Sequence, residues 1–375
     1  MKTTRITAMA VAALLITASC SNESLNPESV LADAAVERNE FDNWLMENYT
    51  KPYNIDFIYR YTDRETDNFY NVVPADYGKS KALAALVKHV WLDAYAEAMG
   101  EDFIRTYSPR VMQLIGSAEY SSSGSMVLGT AEGGLKITLF RVNSLDPDNI
   151  WIDQESAFPE TAKTPMDLNY WFFHTMHHEF CHILTQKKNY STDFQTVSAG
   201  KYQTTNWINV DDSEAPAMGF TSGYGSGEYN EDFAEIYSFY VTHTQQAWEK
   251  LLGEGVVPKE NADGSPVYKT DGKGNAVYKK DAAGKLIAKT DAKGDTVYQK
   301  DPATGGTLYD KDGNPAVEYE KEIEYDTSGR DAILAKFNIL YDYFLGSWDV
   351  DLDDLRAIVL RRSEEAKTLD LKNLK

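Results

Sequence analysis

The stretch His174-Thr-Met-His177-His178-Glu179-Phe-Cys-His182 lies near the middle of a chain of 375 residues. His178 and His182 are four positions apart, so on a helix they lie one turn apart on the same face. Two imidazoles placed in this way form half of a common zinc site, and Glu179 beside them can act as a general base on a water. The chain has six histidines, and four of them fall within these nine residues. The stretch therefore predicts a helix that carries a metal site.

The residues before the motif also favour a helix. Thr164 is a typical N-cap residue, Pro165 suits the first helical turn, and Asp167 adds an acidic side chain near the N-terminus. We therefore expect the helix to begin at Thr164. The residues that follow supply an apolar flank for packing: Leu168, Trp171, Phe172, Thr175, Met176 and Ile183.

A third metal ligand is expected from a later segment, Glu231-Asp-Phe-Ala-Glu235. In zinc hydrolases with such a histidine helix, a glutamate from a later helix often completes the site, and Glu231 suits this role. Glu235, one turn further on, could accept a hydrogen bond from the far nitrogen of a zinc-binding histidine and so fix its tautomer. His174 lies one turn before His178 on the same face, which makes it a candidate substrate contact.

Composition excludes one class of partner. The chain has 37 basic and 58 acidic residues, which gives a formal net charge of −21. No basic stripe is available for nucleic acid, so we expect no nucleic-acid partner. The hydrophobic fraction of 42 % with 25 % charged residues is typical of a globular protein.

The N-terminus predicts a targeting segment over residues 1–19. Lys2 and Arg5 precede an apolar run that is too short to span a bilayer, and Thr17-Ala-Ser-Cys20 resembles a bacterial lipobox. The resemblance implies cleavage before Cys20, lipidation of that cysteine and, because Ser21 follows, transfer to the outer membrane. Residues 20–38 would be a tether, and the chain could face the periplasm or the outside. Without Lys2 and Arg5 the chain has 35 basic against 58 acidic residues, a net charge of −23.

The order of predicted elements indicates an α+β fold. Short strands near residues 111–116, 125–129 and 135–142 follow a long helix over 80–99 and precede the histidine helix, which fits a small mixed sheet with helices on one face. We expect this part of the fold over residues 39–254 and a helical C-terminal part over 325–375.

Residues 255–324 differ from the rest, because Asp271, Asp281, Asp291 and Asp301 recur every ten residues. Each unit predicts an Asp- and Gly-rich turn followed by a short strand, so the segment is expected to be an inserted arm of β-hairpin repeats. A tolerated surface insertion is the simpler interpretation, and an arm that binds a partner or a glycan is the alternative.

The two motifs, His178-Glu-Phe-Cys-His182 and Glu231-Asp-Phe-Ala-Glu235, resemble those of the gluzincin metallopeptidases. They are most similar to the zinc-binding metallopeptidase lipoproteins of Bacteroidetes, whose genes accompany outer-membrane nutrient-import systems. The resemblance implies a zincin-like fold, one catalytic Zn²⁺, a peptide or protein substrate and association with outer-membrane import proteins. It extends to the catalytic domain of anthrax lethal factor, in which a Tyr-Gly pair stands seven residues before the glutamate ligand. Tyr224 occupies that place here and would donate a hydrogen bond to the oxyanion.

These features predict an anchored zinc metallopeptidase in which His178, His182 and Glu231 hold the metal and Glu179 is the general base. Two alternatives remain open. One is a surface binding protein of a nutrient-uptake assembly that keeps zinc for structure, which a fourth protein ligand such as His174 would favour. The other is an adhesin whose repeats do the binding while the peptidase fold serves as a stalk.

Overall fold

The computed structural model describes residues 37–62, 72–120, 126–127, 129–132 and 134–374. The chain divides into two units, Met1–Glu40 and Phe41–Lys375, and the fold described below is that of the second. The predicted targeting segment, Cys20 and nearly all of the predicted tether lie outside the described residues.

The described residues include a four-stranded mixed sheet, in agreement with the small mixed sheet that the sequence predicted. Its strands in spatial order are β1 (Asp56–Ile58), β2 (Val111–Leu114), β6 (Lys136–Leu139) and β5 (Gly129–Glu132). Strands β1, β2 and β6 are parallel, and β5 is antiparallel to β6. Three consecutive residues of each inner strand are buried, including the polar Gln113 and Thr138, so both faces of these strands are covered. Strand β5 was not predicted, and it is one edge of this sheet, with β1 at the other. Two further short strands, β3 (Glu119–Tyr120) and β4 (Met126–Val127), form a separate antiparallel pair.

Helices account for most of the regular secondary structure outside these strands. The mixed α/β class with several helices agrees with the sequence-based expectation. No helix in the described ranges is long and apolar enough to cross a membrane. Before the motif lie α1 (Glu40–Leu45), α2 (Lys51–Tyr53), α3 (Tyr77–Val87), α4 (Asp93–Met99) and α5 (Glu101–Tyr107); then come α6 (Thr175–Lys187), α7 (Asp193–Val197), α8 (Ala215–Met218), α9 (Tyr229–Thr242), α10 (Gln245–Glu254), α11 (Ser328–Trp348) and α12 (Leu352–Ala366).

The motif lies on α6, but its helix begins later than predicted. A π-helical segment, Asn169–His174, leads directly into α6, so the start expected at Thr164 is wrong. The carboxylate of Asp167 accepts a hydrogen bond from the Asn169 backbone N–H at 3.0 Å, which satisfies a donor that the helix start leaves free. The helix that carries Glu231, α9, ends at Thr242, and the Thr244 side chain caps a new helix, α10.

The inner face of α6 packs on an aromatic core. Phe180 makes edge-on contacts with Trp91 and Tyr95, at ring-centroid distances of 5.2 and 4.9 Å. His177 points into this core, where its Nδ1 lies 2.9 Å from the Tyr95 hydroxyl. Burial lowers the pKa of His177 to about 3, so the imidazole is neutral. One of the four clustered histidines therefore belongs to the core, which fixes how α6 presents the other three.

Residues 259–324 form the repeat arm, which leaves and re-enters the fold through strands β7 (Val257–Pro258) and β8 (Tyr325–Asp326). Each ten-residue unit makes a turn and a bridge, and one return segment near 315–324 runs back past all of them. In one turn the Asp271 carboxylate accepts from the backbone N–H groups of Lys273 and Asn275 at 2.8 and 2.9 Å. Gly274 has a φ of 83°, a left-handed conformation that glycine adopts without strain.

Candidate metal centre

Three of the predicted residues meet at one point between α6 and α9. His178 Nε2 lies 3.0 Å from Glu231 Oε2, and His182 Nε2 lies 3.2 Å from the same oxygen. The two histidine Nε2 atoms are 3.0 Å apart. Because α6 places the two imidazoles one turn apart, a single carboxylate from the first turn of α9 reaches both.

This arrangement fits a zinc ion. Ligand atoms at about 2.0–2.1 Å from a tetrahedral zinc lie about 3.3 Å from one another, close to the three distances observed. Two imidazole nitrogens and one carboxylate oxygen also form a donor set found in catalytic zinc sites, which leaves a fourth position for substrate or water. The grouping of His178, His182 and Glu231 therefore has the chemistry and the spacing of a metal centre.

The carboxylates and imidazoles of this cluster stabilise one another's charged forms. Burial by itself would raise the pKa of Glu231, but the contacts with His178 and His182 outweigh it, and the pKa lies well below its usual range. Burial likewise opposes protonation of His178, yet Glu231 and Glu235 raise its pKa well above the ordinary value. In the metal-free chain the two carboxylates thus attract positive charge to this point, which a divalent cation would satisfy.

Glu235 holds two histidines at once. Its Oε1 atom lies 2.8 Å from His178 Nδ1 and 3.0 Å from His174 Nε2, while its Oε2 accepts a hydrogen bond from the Ser222 hydroxyl at 2.6 Å. A carboxylate against the far nitrogen of a ligating histidine fixes the tautomer that leaves Nε2 free for a metal. His174 also lies 3.1 Å from the Ser238 hydroxyl, so the structure places it in this supporting network at the edge of the cavity.

A second grouping of possible ligands shares His178. His174, His178 and Glu235 also bring their ligand atoms within 4.8 Å of one another. This grouping uses Nδ1 of His178, whereas the first uses Nε2. Glu235 also accepts a hydrogen bond from Ser222, and His174 lies against the Ser238 hydroxyl, so these two side chains already have polar partners other than a metal. The first grouping, in which two histidine nitrogens face each other across a carboxylate, is the one that needs a cation.

Glu179 lies beside this cluster on α6 and lines the same cavity. The residue is only 8 % exposed, and burial raises the pKa of its carboxyl group although His178 and His182 lower it. A carboxylate whose pKa is moved towards neutrality is a more effective general base than a solvated one.

Tyr224 reaches the site from the short helix Tyr224–Ser226. The centroid of its ring lies 5.8 Å from that of the His178 ring. The Tyr224 ring also packs edge-on against Trp207, with a centroid distance of 4.9 Å. The side chain is 40 % exposed and lines the cavity. Burial of part of the ring, followed by the charge of Glu231, raises the pKa of the phenol, so the hydroxyl keeps its proton and can donate a hydrogen bond.

The centre opens into a cavity of about 640 Å³, within the range of about 300–1,000 Å³ common for ligand sites. Gly129 of the edge strand β5 forms part of its wall, and a Cβ atom there would lie 2.4 Å from Thr175 Cγ2 and 3.7 Å from Glu179 Oε1. Sequence reasoning did not identify Gly129, Ser222 or Trp207 as site residues. The position of Ser222 two residues before Tyr224 is the only signal that the sequence offered for them.

A buried ion pair fixes the first turn of α9. Asp232, next to Glu231, accepts hydrogen bonds from Lys336 Nζ of α11 at 2.6 Å and from the Tyr202 hydroxyl at 2.9 Å. Neither Lys336 nor Asp232 is exposed. Burial raises the pKa of Asp232 to about 6, against the opposing effect of Lys336. The helix that follows the repeat arm thus supports the residue beside a metal ligand.

Comparisons with known proteins agree with this geometry. The family model described as "Putative zinc-binding metallo-peptidase" matches residues 34–353. The chain belongs to that family. Among solved structures, a protein of the same description from Bacteroides caccae is 30 % identical, with a TM-score of 0.56, over 90 % of this chain and 99 % of the other. No curated protein matches. The predicted resemblance to the zinc-binding metallopeptidases is therefore confirmed at the level of the family.

Proposed function

We propose that this member of the zinc-binding metallopeptidase family is an active peptidase of the gluzincin type, with one zinc ion held by His178, His182 and Glu231. The observation that carries the proposal is the convergence of these three ligand atoms within 3.2 Å of one another at the wall of an open cavity. Glu179, buried and with a raised pKa, stands beside them. A site that served structure alone would not need a buried base facing a substrate-sized space.

When bound, the zinc ion would act as a Lewis acid that polarises a carbonyl group and makes water more acidic. Glu179 takes the proton of the attacking water and passes it to the nitrogen of the leaving amine. The Tyr224 hydroxyl donates a hydrogen bond to the oxygen that gains negative charge during the attack. Glu235 keeps His178 in the tautomer and orientation that the metal requires.

The edge strand β5 supports a peptide as the substrate. Among the described residues it pairs only with β6, and Gly129 at its start lines the cavity. An extended peptide could add to this edge by backbone hydrogen bonds, and the absence of a side chain at Gly129 would let its backbone come close to Glu179.

The test is zinc content by elemental analysis together with cleavage of a mixed peptide library. We expect about one zinc per chain in the wild type and in Glu179→Gln, and loss of zinc in Glu231→Ala. Glu179→Gln should lower kcat by about 10²–10⁴-fold, and Tyr224→Phe by about 10²–10³-fold with zinc retained. Zinc that persists in Glu231→Ala would overturn the ligand assignment. Zinc bound as expected without cleavage of any peptide would overturn the peptidase and favour a zinc-containing binding protein.

We further propose that the mature protein is held at the outer membrane by lipid on Cys20. The support is the sequence Thr17-Ala-Ser-Cys20 after a charged and apolar leader. Association with nutrient-import proteins is proposed on the family resemblance alone. Labelling of cells with a palmitate analogue should mark the wild type but not Cys20→Ala, and an unlabelled wild type would overturn the anchor.

A further inference from the structure

One face of the repeat arm carries a continuous series of tyrosines. Every second residue from Pro315 to Tyr325 is paired with a residue of the preceding chain, and one member of each of these six pairs is a tyrosine. Residues directly opposite each other in an antiparallel ladder share a face, and every second residue of a strand lies on that same face. Each pair is one level of the arm. From the base outwards, the tyrosines of the six levels, called the tyrosine row below, are Tyr325, Tyr268, Tyr278, Tyr319, Tyr298 and Tyr309.

The return segment completes the row where a repeat unit lacks a tyrosine. Tyr268, Tyr278 and Tyr298 stand at the same place in their units, but the unit between the last two has Ala288 there. The residue paired with Ala288 is Tyr319, whose ring lies edge-on to that of Tyr278 at a centroid distance of 6.4 Å. The preference of tyrosine for strands accounts for a tyrosine in each repeat, but not for one supplied from the opposite strand at the level where the repeat has none. The row is therefore a property of the folded arm as well as of the repeats.

The tyrosine row is exposed and carries little charge. Five of its six rings are between 37 % and 65 % accessible. The residues paired with the tyrosines are small or apolar in all cases but one: Pro258, Ile323, Lys321, Ala288, Val317 and Pro315. The exception, Lys321, places its Nζ 5.2 Å from the centroid of the Tyr268 ring. The alternate residues of these strands point to the opposite face, where lysines pair with glutamates, as Lys269 does with Glu322 at 3.2 Å.

The dimensions of the row suit a single extended chain. Adjacent levels are two residues of the return segment apart, or about 6.7 Å, so five steps make a row about 33 Å long. Two paired strands are about 10 Å wide, which gives the face an area of roughly 300 Å². Each partner in a stable protein–protein interface contributes about 800 Å². A second copy of this chain or a globular partner would therefore find too little surface here, whereas a narrow polymer would cover the whole row.

The chemistry of the row distinguishes between polymers. An extended peptide binds a sheet through unpaired backbone groups, but those of the arm are paired, as when Lys279 N–H donates to the Glu320 carbonyl at 2.8 Å and Glu320 N–H to the Ile287 carbonyl at 2.9 Å. A single-stranded nucleic acid needs a basic groove beside the aromatic rings, and among the six pairs Lys321 is the only cation. A sugar ring has C–H groups on its faces and hydroxyls at its rim, which match the apolar ring and the polar hydroxyl of tyrosine.

We propose that the tyrosine row is a binding site for an extended polysaccharide of neutral sugars, whose rings stack on successive tyrosines. Stacking removes apolar surface of both rings from water, and the phenolic hydroxyls exchange hydrogen bonds with the sugar hydroxyls. Each contact is weak, but once one sugar is bound the next contacts are intramolecular, so the affinity increases along the chain. This binding activity does not depend on the proposed peptidase function and requires no zinc.

The first experiment is native electrophoresis of residues 21–375, with and without zinc, through gels that contain mixed-linkage β-glucan, xyloglucan or galactomannan. We expect at least one of these neutral polysaccharides to retard the protein, equally in the zinc-bound and metal-free forms. Calorimetry with oligosaccharides cut from that polysaccharide should show an affinity that rises with their length. Migration unchanged by all three polysaccharides would overturn the proposal. Binding only to alginate or to oligo(dT), run as anionic probes, would also overturn it, because it would show a site for a polyanion.

Variants locate the binding in the tyrosine row. The triple variant Tyr278→Ala/Tyr319→Ala/Tyr298→Ala removes the three central rings and should lower the affinity at least about tenfold. The matched triple variant with phenylalanine keeps the rings and should lose less than about threefold. Two controls should bind like the wild type: Lys279→Met, on the opposite face of the arm, and Tyr120→Ala, at a tyrosine of β3 that is 51 % accessible. Wild-type affinity in the alanine variant would overturn the assignment to the row, and an equal loss in the phenylalanine variant would overturn stacking as its basis.

Limited proteolysis shows whether the arm of each variant is folded. The arm contains many lysines, so trypsin should cut an unfolded arm rapidly and a folded one slowly. If the triple alanine variant is cut rapidly, the single variants Tyr278→Ala and Tyr298→Ala replace it, each with an expected loss of about fivefold. Single variants with a protected arm and unchanged affinity would overturn the proposal in the same way.

Discussion

The helical body, residues 41–258 and 325–374, and the repeat arm, residues 259–324, are held together in different ways. The body buries large side chains around α6 and α9, including Trp91, Tyr95 and Tyr237 at 1 % exposure or less. The arm has almost no buried side chain, and the tyrosines of its repeat units are exposed, for example Tyr278 at 37 %. The body therefore depends on contacts between particular residues, while the arm depends on a backbone pattern that is repeated.

The pattern of the arm is a series of closed triangles of hydrogen bonds. In one triangle Lys269 N–H donates to the Glu322 carbonyl, Glu322 N–H to the Val277 carbonyl, and Val277 N–H to the Lys269 carbonyl, each at 2.9 Å. The next triangle uses Lys279 and Glu320, so ten residues of repeat advance by two residues of the return segment. Because these backbone groups are paired within the arm, they are not available to add a strand from another chain.

The largest expected difference in stability is between substitutions of two lysines, each of which forms an ion pair. Lys336 is fully buried with Asp232, whereas Lys279 pairs with Glu320 at 2.8 Å on the exposed arm. Lys336→Met leaves Asp232 buried without its cation and should lower the free energy of unfolding by about 3–5 kcal/mol. Lys279→Met should leave the unfolding midpoint unchanged, because exposed pairs often contribute nothing measurable.

Urea unfolding monitored by tryptophan fluorescence measures the free energy of unfolding of both variants. The double variant Lys336→Met/Asp232→Asn should recover part of the loss, since no unpaired charge then remains in the core. Equal destabilisation by the two single lysine variants would contradict the proposed contrast between body and arm.

A low pH should also destabilise the body, because the buried His243 is neutral in the folded state. Its pKa is lowered to about 3 in the folded state by burial, and it is about 6.5 in the unfolded state. The unfolded state therefore takes up the proton first as the pH falls below 6.5, and the stability contributed above that pH is progressively lost. Between pH 7 and pH 5 we expect His243→Gln to lose about 2 kcal/mol less stability than the wild type.

The measurement is urea unfolding of metal-free wild type and His243→Gln over this pH range. Comparing the two chains cancels the titration of the metal ligands, which both contain. Parallel stability profiles for the two chains would show that His243 is not the neutral, buried group described here.

Substitution of one glycine in the body and one in the arm should give a smaller difference in stability. Gly129→Ala places a methyl group 2.4 Å from Thr175 Cγ2, so β5 or α6 must shift, and we expect a loss of about 1–3 kcal/mol together with lower activity. Gly274→Ala meets no neighbouring atom but must keep a φ of +83°, so about 1 kcal/mol should be lost locally in the arm. Activity should be unchanged by Gly274→Ala, and a parallel loss of activity in both variants would contradict the separation of the two regions.

The sequence predicted what depends on short spacings. The four-residue interval between His178 and His182 and that between Glu231 and Glu235 each fix a helix face, and the structure brings three of these side chains together. The ten-residue period of Asp271 and its successors predicted turns for the same reason, because each carboxylate caps its own loop.

What the sequence could not predict depends on contacts between distant segments. The apolar periodicity of α9 continues into α10, so the local sequence pattern did not predict that a new helix begins after Thr244. Strand β5 is only four residues long and lacks a strong strand pattern; its pairing with β6 assigns it to the sheet. Ser222 became a site residue only because the chain after α8 brings its hydroxyl to Glu235. These features follow from tertiary packing, which overrides local propensity.

The smallest expected effect comes from the largest change, removal of the arm. Val257 pairs with Asp326 and Pro258 with Tyr325, so the two ends of the arm are adjacent in an antiparallel ladder. Replacing residues 259–324 by Asn-Gly, a two-residue turn that suits such a ladder, should leave zinc content, peptide cleavage and the unfolding midpoint of the body unchanged. The helix α11 starts immediately after the ladder and is held by its own contact, from Arg330 N–H to the Gly255 carbonyl at 3.0 Å. A body that loses zinc or activity without the arm would mean that the repeats support the metal centre through α11 and Lys336, and would unite the two regions that the structure separates.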